Sequence, residues 1–497
     1  MRTSGVLLPI SSLPSAYGIG CFSQEAYAFV DFLEKAEQTY WQILPIGPTS
    51  YGDSPYQSFS TYAGNPYFID LEKLINQGLL TKEECDRVDF GQDATKVDYE
   101  KLYLGRFDLL RKAFDRSNIL VDGEFQKFCE QESDWLEEYA QYMAIKTHFG
   151  GKSFMEWPED IRLRKEDALA EYCEKLSEDI NFYKYIQYEF YKQWNRLKSY
   201  ANEHGISIIG DIPIYVAPDS ADVWASPELF QMKDGKQSAM AGCPPDGFSA
   251  TGQLWGNPLY DWDYHKKTGY KWWIGRIRQC RKMYDVIRID HFRAFDQYYS
   301  VPAGQETAVN GEWKDGPGYE LFEAIKKELG EVHIIAEDLG YITDSVRKLV
   351  ADTNFPNMKV LQFAFDSRDS SGPNDYLPHN YPRNCVVYTG THDNETLMGW
   401  LDSITPQEVK YVQEYLGLES DEPKALCRGL IRAAQSSVAD YCIIPLQDYL
   451  YLDNSARMNT PSTTGGNWQW RTSMECLTDA LADDIRNMTN LYGRYLK

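Results

Sequence analysis

The sequence predicts an α/β protein: a (β/α)8 TIM barrel with inserted, mainly helical subdomains, forming one barrel domain over residues 1–497. Eight short runs of apolar, often β-branched residues stand along the chain, and amphipathic segments of helical period separate most of them. Buried parallel strands have this appearance and need covering helices on their outer face. Polar residues follow most of the runs, which indicates that one end of the barrel carries the chemistry.

The first two predicted strands are Gly5–Ile10 and Trp41–Ile46, with a helix over Ala26–Ala36 between them. Residues 47–70 are predicted as a long loop, because they are rich in glycine, proline, serine and tyrosine, and loops of that length are usually functional. Residues 70–200 are instead dense in charge and helical in period. Since this stretch is far longer than one crossover helix, we expect an inserted helical subdomain between strands two and three.

Strand character returns at Ile206–Ile212, and residues 233–262, loaded with glycine, proline, tryptophan and tyrosine, are predicted as a second long loop at the site. Five further strands are predicted at barrel-like spacing: Val286–Asp290, His333–Glu337, Met358–Ala364, Cys385–Tyr388 and Tyr441–Leu446. Helical segments are predicted between them at Gly318–Leu329, Thr343–Ala351 and Pro423–Val438.

The composition narrows the class of partner and compartment. The formal net charge of −24 argues against nucleic acid or an anionic membrane as partner, because both would repel the protein. Ten scattered cysteines without a CxxC pair indicate reduced thiols, and hence a cytoplasmic location, rather than a disulfide framework or a zinc site. The N-terminal apolar run is too short for a signal peptide, and no stretch approaches the length of a membrane span.

The predicted strand ends are unusually acidic. They carry Asp211 on strand three, Asp290 on strand four, Glu337 and Asp338 on strand five, His392 and Asp393 after strand seven, and Asp448 near the end of strand eight. These ends converge on one rim of a barrel, where unpaired like charges would repel, so a ligand is expected there. Arg288 shares a strand face with Asp290 and would hold that aspartate ionised, although the same pair could serve only to pin the strand end.

Two kinds of ligand would account for an acidic rim: a metal ion, or a sugar whose glycosidic bond is cleaved by paired carboxylates. The seven histidines are dispersed, only His291 and His392 fall on the rim, and neither HxH nor HExxH spacing occurs. We therefore predict sugar chemistry without a metal or a cofactor.

Four motifs at the strand ends resemble the catalytic regions of the α-amylase clan: GDIPIYV (210–216), VIRIDHFRAF (286–295), IIAEDLG (334–340) and TGTHDNET (389–396). With further matches such as SSLPSAYGIG (11–20), GDSPYQSFSTYAGNPYFI (52–69) and PPDGFSATGQLWGNPLYDW (244–262), nearly the whole chain resembles the amylomaltases, the 4-α-glucanotransferases of glycoside hydrolase family 77. The chain departs from the family pattern at Cys21-Phe22, Tyr451 and Ser462, none of which is a catalytic carboxylate.

The resemblance implies retaining glucan transfer by double displacement, with Asp290 as nucleophile, Glu337 as general acid/base and Asp393 as the carboxylate that stabilises the transition state. It also implies ten residues in contact with the glucan: Ser54, Tyr56, Asp211, Gln253, Trp255, Arg288, His291, Asp338, His392 and Asn459. Tyr56 would stack on a sugar ring, and the two histidines would bind sugar hydroxyls. The expected substrates are maltooligosaccharides, amylose and glycogen-derived glucans.

Several alternatives stay open on the residues alone. Trp255 would also suit a packed core, and Ser54 and Asn459 would also suit turn caps. The same carboxylates would serve an α-1,4-glucan hydrolase. Two other functions also stay open: a glucan-binding protein without catalytic activity, and a metal-dependent barrel isomerase. Transfer is favoured by the aromatic residues of the two long loops, because a lid over the site would exclude water and hold an acceptor sugar. These aromatics are Tyr51, Tyr56, Tyr62, Phe248 and Trp255.

Overall fold

The computed structural model describes residues 2–50, 52–233, 235–245, 249–340, 342–366 and 374–495. Within these ranges eight parallel strands close into a barrel in which each strand pairs with the next along the chain. They are β1 (Thr3–Leu7), β2 (Tyr40–Gln42), β3 (Ser207–Pro213), β4 (Val286–Asp290), β5 (Ile334–Ala336), β6 (Asn357–Val360), β7 (Cys385–Tyr388) and β8 (Tyr441–Pro445). The predicted (β/α)8 barrel is therefore confirmed.

The barrel closes between its first and last strands. β1 runs beside β8 with Thr3 opposite Tyr441. The fully buried guanidinium of Arg494 donates to the carbonyl oxygens of Thr3 at 3.0 Å, Ala439 at 2.9 Å and Gln435 at 2.6 Å. The two ends of the described chain are thus held at one seam of the barrel.

Alternate strand residues point into the barrel and fill it with apolar side chains. This inner cluster consists of Leu7, Leu44, Ile209, Val286, Ile335, Met358, Val386, Tyr388, Ile443 and Met458. The intervening residues, such as Ile287 and Ile289, face a larger apolar layer beneath the helices. Three apolar runs were predicted too long as strands, because β1 ends at Leu7, β2 at Gln42 and β6 at Val360. The mostly buried residues Ile10–Ser12 and Leu361–Phe365 form 3-10 turns instead.

Helices pack around the outside of the barrel. They are Gln24–Lys35, Ala221–Ala225, Trp262–Lys267, Lys271–Met283, Tyr319–Leu329, Asp344–Thr353, Leu397–Ser403, Pro406–Leu416, Pro423–Ser436, Leu446–Tyr449 and Asp479–Leu491. Short 3-10 turns also occur at Pro66–Phe68, Ile119–Val121, Phe154–Glu156, Pro227–Leu229, Phe292–Phe295, Pro378–Asn380, Asn454–Ala456 and Met474–Cys476. No helix among the described residues is both long enough and apolar enough to cross a membrane.

The stretch between β2 and β3 is helical, as the charge-dense amphipathic pattern indicates. Its helices are Leu71–Asn76, Lys82–Asp86, Tyr99–Ser117, Gly123–Gln131, Leu136–His148, Glu159–Arg162, Glu166–Lys175 and Ser177–Glu203. Asp98 and Asp122 cap two of them by accepting backbone N–H groups in the first turn. The last helix leads into β3 and packs Phe190 and Trp194 against Phe22, with ring centroids 5.2 and 5.3 Å apart.

Residues 233–262, predicted as an irregular loop, contain strands. Ala239–Cys243 and Gln253–Pro258 join Gln297–Pro302 and Glu312–Asp315 in a four-stranded antiparallel sheet, and Met232–Lys233 pairs with Lys236–Gln237. The prediction missed them because these strands are short, contain glycine and proline, and shift register between Met240 and Gly242, which removes the alternation expected of a strand.

Candidate active site

The two central carboxylates occupy facing positions on adjacent strands. Asp290 is the last residue of β4, and Glu337 follows β5 directly. Since Ala336 lies opposite Ile289, the next residues, Glu337 and Asp290, stand across one strand spacing of about 4.8 Å. His291 adopts a left-handed backbone with a φ of 56° and donates its N–H to Glu337 Oε2 at 2.6 Å. The backbone therefore turns directly after Asp290, and the N–H of the turning residue, His291, helps to orient the Glu337 carboxyl group.

Burial raises the pKa values of both Asp290 and Glu337. The pKa of Asp290 rises to about 6, although Arg288, 3.1 Å away, acts to lower it. The pKa of Glu337 rises to about 7, and the negative charge of Asp290 adds to that effect. The charge of Arg288 thus favours the ionised form of Asp290, and that ionised form favours the protonated form of Glu337, which is the division between a nucleophile and a general acid.

Arg288 is shared between two aspartates. Its Nη1 lies 2.7 Å from both carboxylate oxygens of Asp211 and 3.1 Å from Asp290 Oδ1. Arg288 acts to lower the pKa of Asp290, but burial outweighs this effect and the pKa of Asp290 is raised, so the role of Arg288 in holding Asp290 ionised stays a prediction. The Asp211 side chain has 0% exposure and that of Arg288 only 3%, so in this structure both lie beneath the cleft rather than on its surface. Asp211 is the buried counterion of Arg288, which corrects its expected role as a direct glucan contact.

Tyr56 joins the long loop after β2 to this charge cluster. Its hydroxyl donates to Asp211 Oδ2 at 2.9 Å, although the two residues are 155 positions apart in the chain. Its ring stacks on His392 with centroids 5.0 Å apart and planes at 19°, and Trp468 lies 5.8 Å away at a tilt. One face of the predicted sugar-stacking ring is therefore occupied by a histidine.

Asp393 is held as an open, ionised carboxylate. Asn459 Nδ2 donates to its Oδ1 at 2.6 Å, and His392 Nε2 lies 3.4 Å from its Oδ2. Partial burial acts to raise the pKa of Asp393, but the charge and hydrogen bond of His392, followed by the amide of Asn459, hold that pKa well below its usual range. With 43% of its side chain exposed, Asp393 presents negative charge to the cleft.

The antiparallel sheet meets the rim at His291. The ring of Trp255 stands edge-on to that histidine, with centroids 4.8 Å apart and planes at 86°, and its Nε1 donates to Gln253 Oε1 at 3.1 Å. Burial, with Arg293 beside it, lowers the pKa of His291 to about 3, so the ring is neutral. Trp255 is only partly buried, so it forms a wall beside the rim as well as packing against the core.

Two predicted glucan contacts are engaged elsewhere. Asp338 accepts from Asn357 Nδ2 at 3.1 Å and from the N–H of Met358 at 2.9 Å, so it fastens the start of β6 to the end of β5. Both hydrogen bonds lie in the barrel wall, and the expected contact of Asp338 with the glucan stays a prediction. Ser54 accepts the N–H of Tyr56 at 3.3 Å, which is the turn-capping alternative considered for it.

The lid aromatics are only partly brought together. Tyr62 stacks on Trp135 with centroids 6.2 Å apart, so it packs against the helical insertion rather than the rim. Tyr51 and Phe248 lie outside the described residues. Among the residues that are described, no group of three or more histidine, cysteine, aspartate or glutamate side chains is arranged to hold a metal ion.

Two residues that contact predicted site residues were not themselves predicted. Trp468 closes the aromatic group around Tyr56 and His392, and Arg457 Nη2 donates to the backbone oxygen of Asp393 at 2.8 Å. Both stand in the stretch ARMNTPS to GNWQWR (456–471), which matches the family but gives no sign of which side chains face the rim.

Comparisons with known proteins identify the family of the chain. The sequence profile of the family described as 4-alpha-glucanotransferase, glycoside hydrolase family 77, matches residues 8–477. The 4-alpha-glucanotransferase of Streptococcus pneumoniae serotype 4 is 52% identical over 99% of this chain and 97% of its own, and that of Clostridium butyricum is 50% identical over 98% and 99%.

A solved structure, the amylomaltase from Streptococcus agalactiae in complex with acarbose, superposes with a TM-score of 0.96 at 46% identity over the whole of both chains. This relative and the curated glucanotransferases cover nearly all of the chain, including every strand that bears a rim acid. The chain therefore belongs to the 4-alpha-glucanotransferase family, glycoside hydrolase family 77.

Proposed function

We propose that this 4-α-glucanotransferase moves α-1,4-glucan segments to glucose or maltooligosaccharide acceptors by a retaining double displacement through a covalent bond to Asp290. The observation that carries the proposal is the pair of Asp290 and Glu337 at facing strand ends, with pKa values of about 6 and about 7. Retaining enzymes need two carboxyl groups about 5–5.5 Å apart, which neighbouring strands can supply. Acarbose, an oligosaccharide analogue, in the structure of the Streptococcus agalactiae relative supports glucan-like ligands.

In the first displacement the Asp290 carboxylate attacks the anomeric carbon while the glycosidic bond breaks. Glu337 gives its proton to the departing oxygen, so the leaving chain departs as a neutral alcohol. In the second displacement the ionised Glu337 takes the proton of an acceptor hydroxyl, which attacks the same carbon and breaks the ester bond to Asp290. Asp393 faces the cleft as an anion and stabilises the positive charge that develops on the sugar ring.

The remaining predicted residues divide by position. Gln253, Trp255, His291 and Asn459 line the rim and would contact the sugar. Tyr56 is partly buried and would offer a sugar only the part of its ring left exposed. The side chain of His392 is only 3% exposed, so it would act on the sugar mainly by fixing the position and charge of Asp393. Arg288 and Asp211 act from below, because their charges fix the electrostatic surroundings of Asp290 without reaching the cleft. Asp338 and Ser54 hold backbone in place.

Transfer rather than hydrolysis requires a bound acceptor to outcompete water for the glycosyl group on Asp290. A well-oriented hydroxyl reaches an effective concentration on the order of 10⁵ M or more, which exceeds that of bulk water. The wall formed by Trp255 beside His291 is placed to hold an acceptor sugar next to the nucleophile. We infer that the enzyme acts in the cytoplasm, because its ten cysteines are scattered along the chain without a CxxC pair and do not suggest a disulfide framework.

Incubation with maltotriose alone tests the proposal. Transfer predicts free glucose together with maltopentaose and longer chains, with the total of reducing ends nearly constant because each bond broken is remade. Chromatography of the products and a reducing-sugar assay measure both quantities. Reducing ends that rise in step with substrate loss, without longer chains, would show a hydrolase that uses the same carboxylates.

A further inference from the structure

One acid of the rim, Asp448, takes no part in the chemistry above. It lies in the short helix Leu446–Tyr449, directly after β8, and is 1% exposed, so it cannot touch a sugar. A buried carboxylate is costly unless hydrogen bonds compensate it. Its Oδ2 accepts the hydroxyl of Thr389 at 2.6 Å, and its Oδ1 accepts the N–H of Leu397 at 2.8 Å.

These two donors are the two ends of one loop. Thr389 follows β7 directly, and Leu397 begins the helix Leu397–Ser403, so residues 389–397 form the loop between strand and helix. His392 and Asp393 lie in the middle of that loop, where Asp393 is exposed to the cleft and His392 is buried beside it with its Nε2 3.4 Å from Asp393 Oδ2. The carboxylate of Asp448 therefore links Thr389 to Leu397. We call this point, where the two ends of the loop meet, the neck of the loop; it lies away from the sugar.

A second bridge crosses the same loop from the opposite neighbour. Gln362, after β6, donates its backbone N–H to Thr389 O at 3.3 Å and its side-chain amide to Glu395 O at 2.8 Å. Arg457 donates a hydrogen bond to the carbonyl oxygen of Asp393, so the loop is held near its middle as well as at its neck. A loop fixed in this way keeps its side chains in one arrangement, which catalysis requires, since a misplacement of about 1 Å costs roughly 100-fold in rate.

We propose that Asp448 is a positioning residue for the glucan transfer, and that it acts through Thr389 and Leu397 to hold His392 and Asp393 against the sugar at the cleavage point. The inference rests on the proposed role of Asp393, which is to stabilise the transition state more than the bound ground state. Loosening the neck should therefore lower kcat and leave KM nearly unchanged.

The test is Thr389→Val, which removes the hydroxyl with little change in volume. We expect kcat on maltotriose, per folded molecule, to fall roughly 10- to 100-fold with KM within about threefold. Thr389→Ser restores the hydroxyl and should recover most of the loss. Asp448→Asn is a second variant, for which we expect a smaller loss of kcat. The Thr389 hydroxyl can rotate and accept a hydrogen bond from the new amide NH2 group, while the amide oxygen still accepts the N–H of Leu397.

The matched control is Thr489→Val, another buried threonine, on the outer helix Asp479–Leu491, whose hydroxyl donates to Ile485 O at 2.9 Å. It should lower the thermal midpoint comparably but keep kcat within about twofold, since it lies away from the rim. A wild-type kcat in Thr389→Val, a drop no larger than that of the control, or a rise in KM alone would overturn the proposal. The wild-type enzyme is assayed first, because an inactive or purely hydrolytic wild type would refute the proposed function rather than the role of Asp448.

Discussion

Replacing Glu337 by glutamine removes the proton donor and also disturbs the hydrogen bonds that orient it. Both carboxylate oxygens accept backbone N–H groups, from His291 at 2.6 Å and from Leu339 at 2.7 Å. Glutamine supplies one oxygen and one NH2 group, so one of these N–H groups loses its acceptor and faces a second donor. A buried donor left unsatisfied costs about 1–3 kcal/mol, and we expect the free energy of unfolding to fall by about that amount.

The loss of activity should be larger than the loss of stability and should depend on the substrate. General acid catalysis contributes roughly 10²–10⁴ in rate, and transfer from maltotriose should fall by at least that factor because the same group serves as base in the second step. A maltotriosyl fluoride needs little protonation to leave, so its first displacement should fall much less. The glycosyl enzyme on Asp290 should then accumulate, because no base activates the acceptor.

Rates on both donors are measured on one preparation of Glu337→Gln, with intact-protein mass spectrometry after exposure to the fluoride. A reduced fraction of folded protein lowers both rates by the same factor, so their ratio isolates the proton transfer. Equal loss on the two donors, or the absence of a glycosyl adduct, would refute the assignment of Glu337 as the acid/base.

Three further outcomes follow from the site. Asp290→Asn should lower turnover by several orders of magnitude while the thermal midpoint changes little, since Asp290 lies at the rim and not in the core; near-native turnover would contradict its role as nucleophile. The pH profile of kcat/KM should be a narrow bell, because activity is lost as Asp290 takes a proton below about 6 and as Glu337 loses one above about 7, and a plateau reaching far above 7 would count against this pair. Activity should survive exhaustive EDTA treatment, and a loss restored by one divalent ion would show that a metal is required.

Much of the barrel was predictable because buried parallel strands are short apolar runs that stop at polar residues. Val286–Asp290 and Cys385–Tyr388 have the predicted bounds, since a polar or turn-forming residue limits each run on both sides. The strands inside residues 233–262 were not predictable in the same way. Their pairing partners include Gln297–Pro302, which lies far along the chain, and their sequence lacks the alternation that marks a strand.

The three central carboxylates were predictable from strand ends and family motifs, but the direction of each neighbouring side chain was less so. Glu337 and Asp338 both follow β5, where the alternation of strand residues no longer fixes the direction of a side chain. The burial of Asp211 depends on Tyr56, which comes from a loop 155 residues earlier. No local pattern reports such a contact, because it exists only once the barrel brings the two segments together.

The seam between β1 and β8 has a consequence for how the molecule is made. β1 and β8 lie far apart in the sequence, so the edge of β1 that receives Tyr441–Pro445 stays without its partner until the residues between them have been synthesised. Contacts so distant in sequence make ring closure a late and slow event. The groups proposed for catalysis and sugar binding, from Tyr56 to Asn459, come together only when the barrel closes, so an unfinished chain has no assembled cleft.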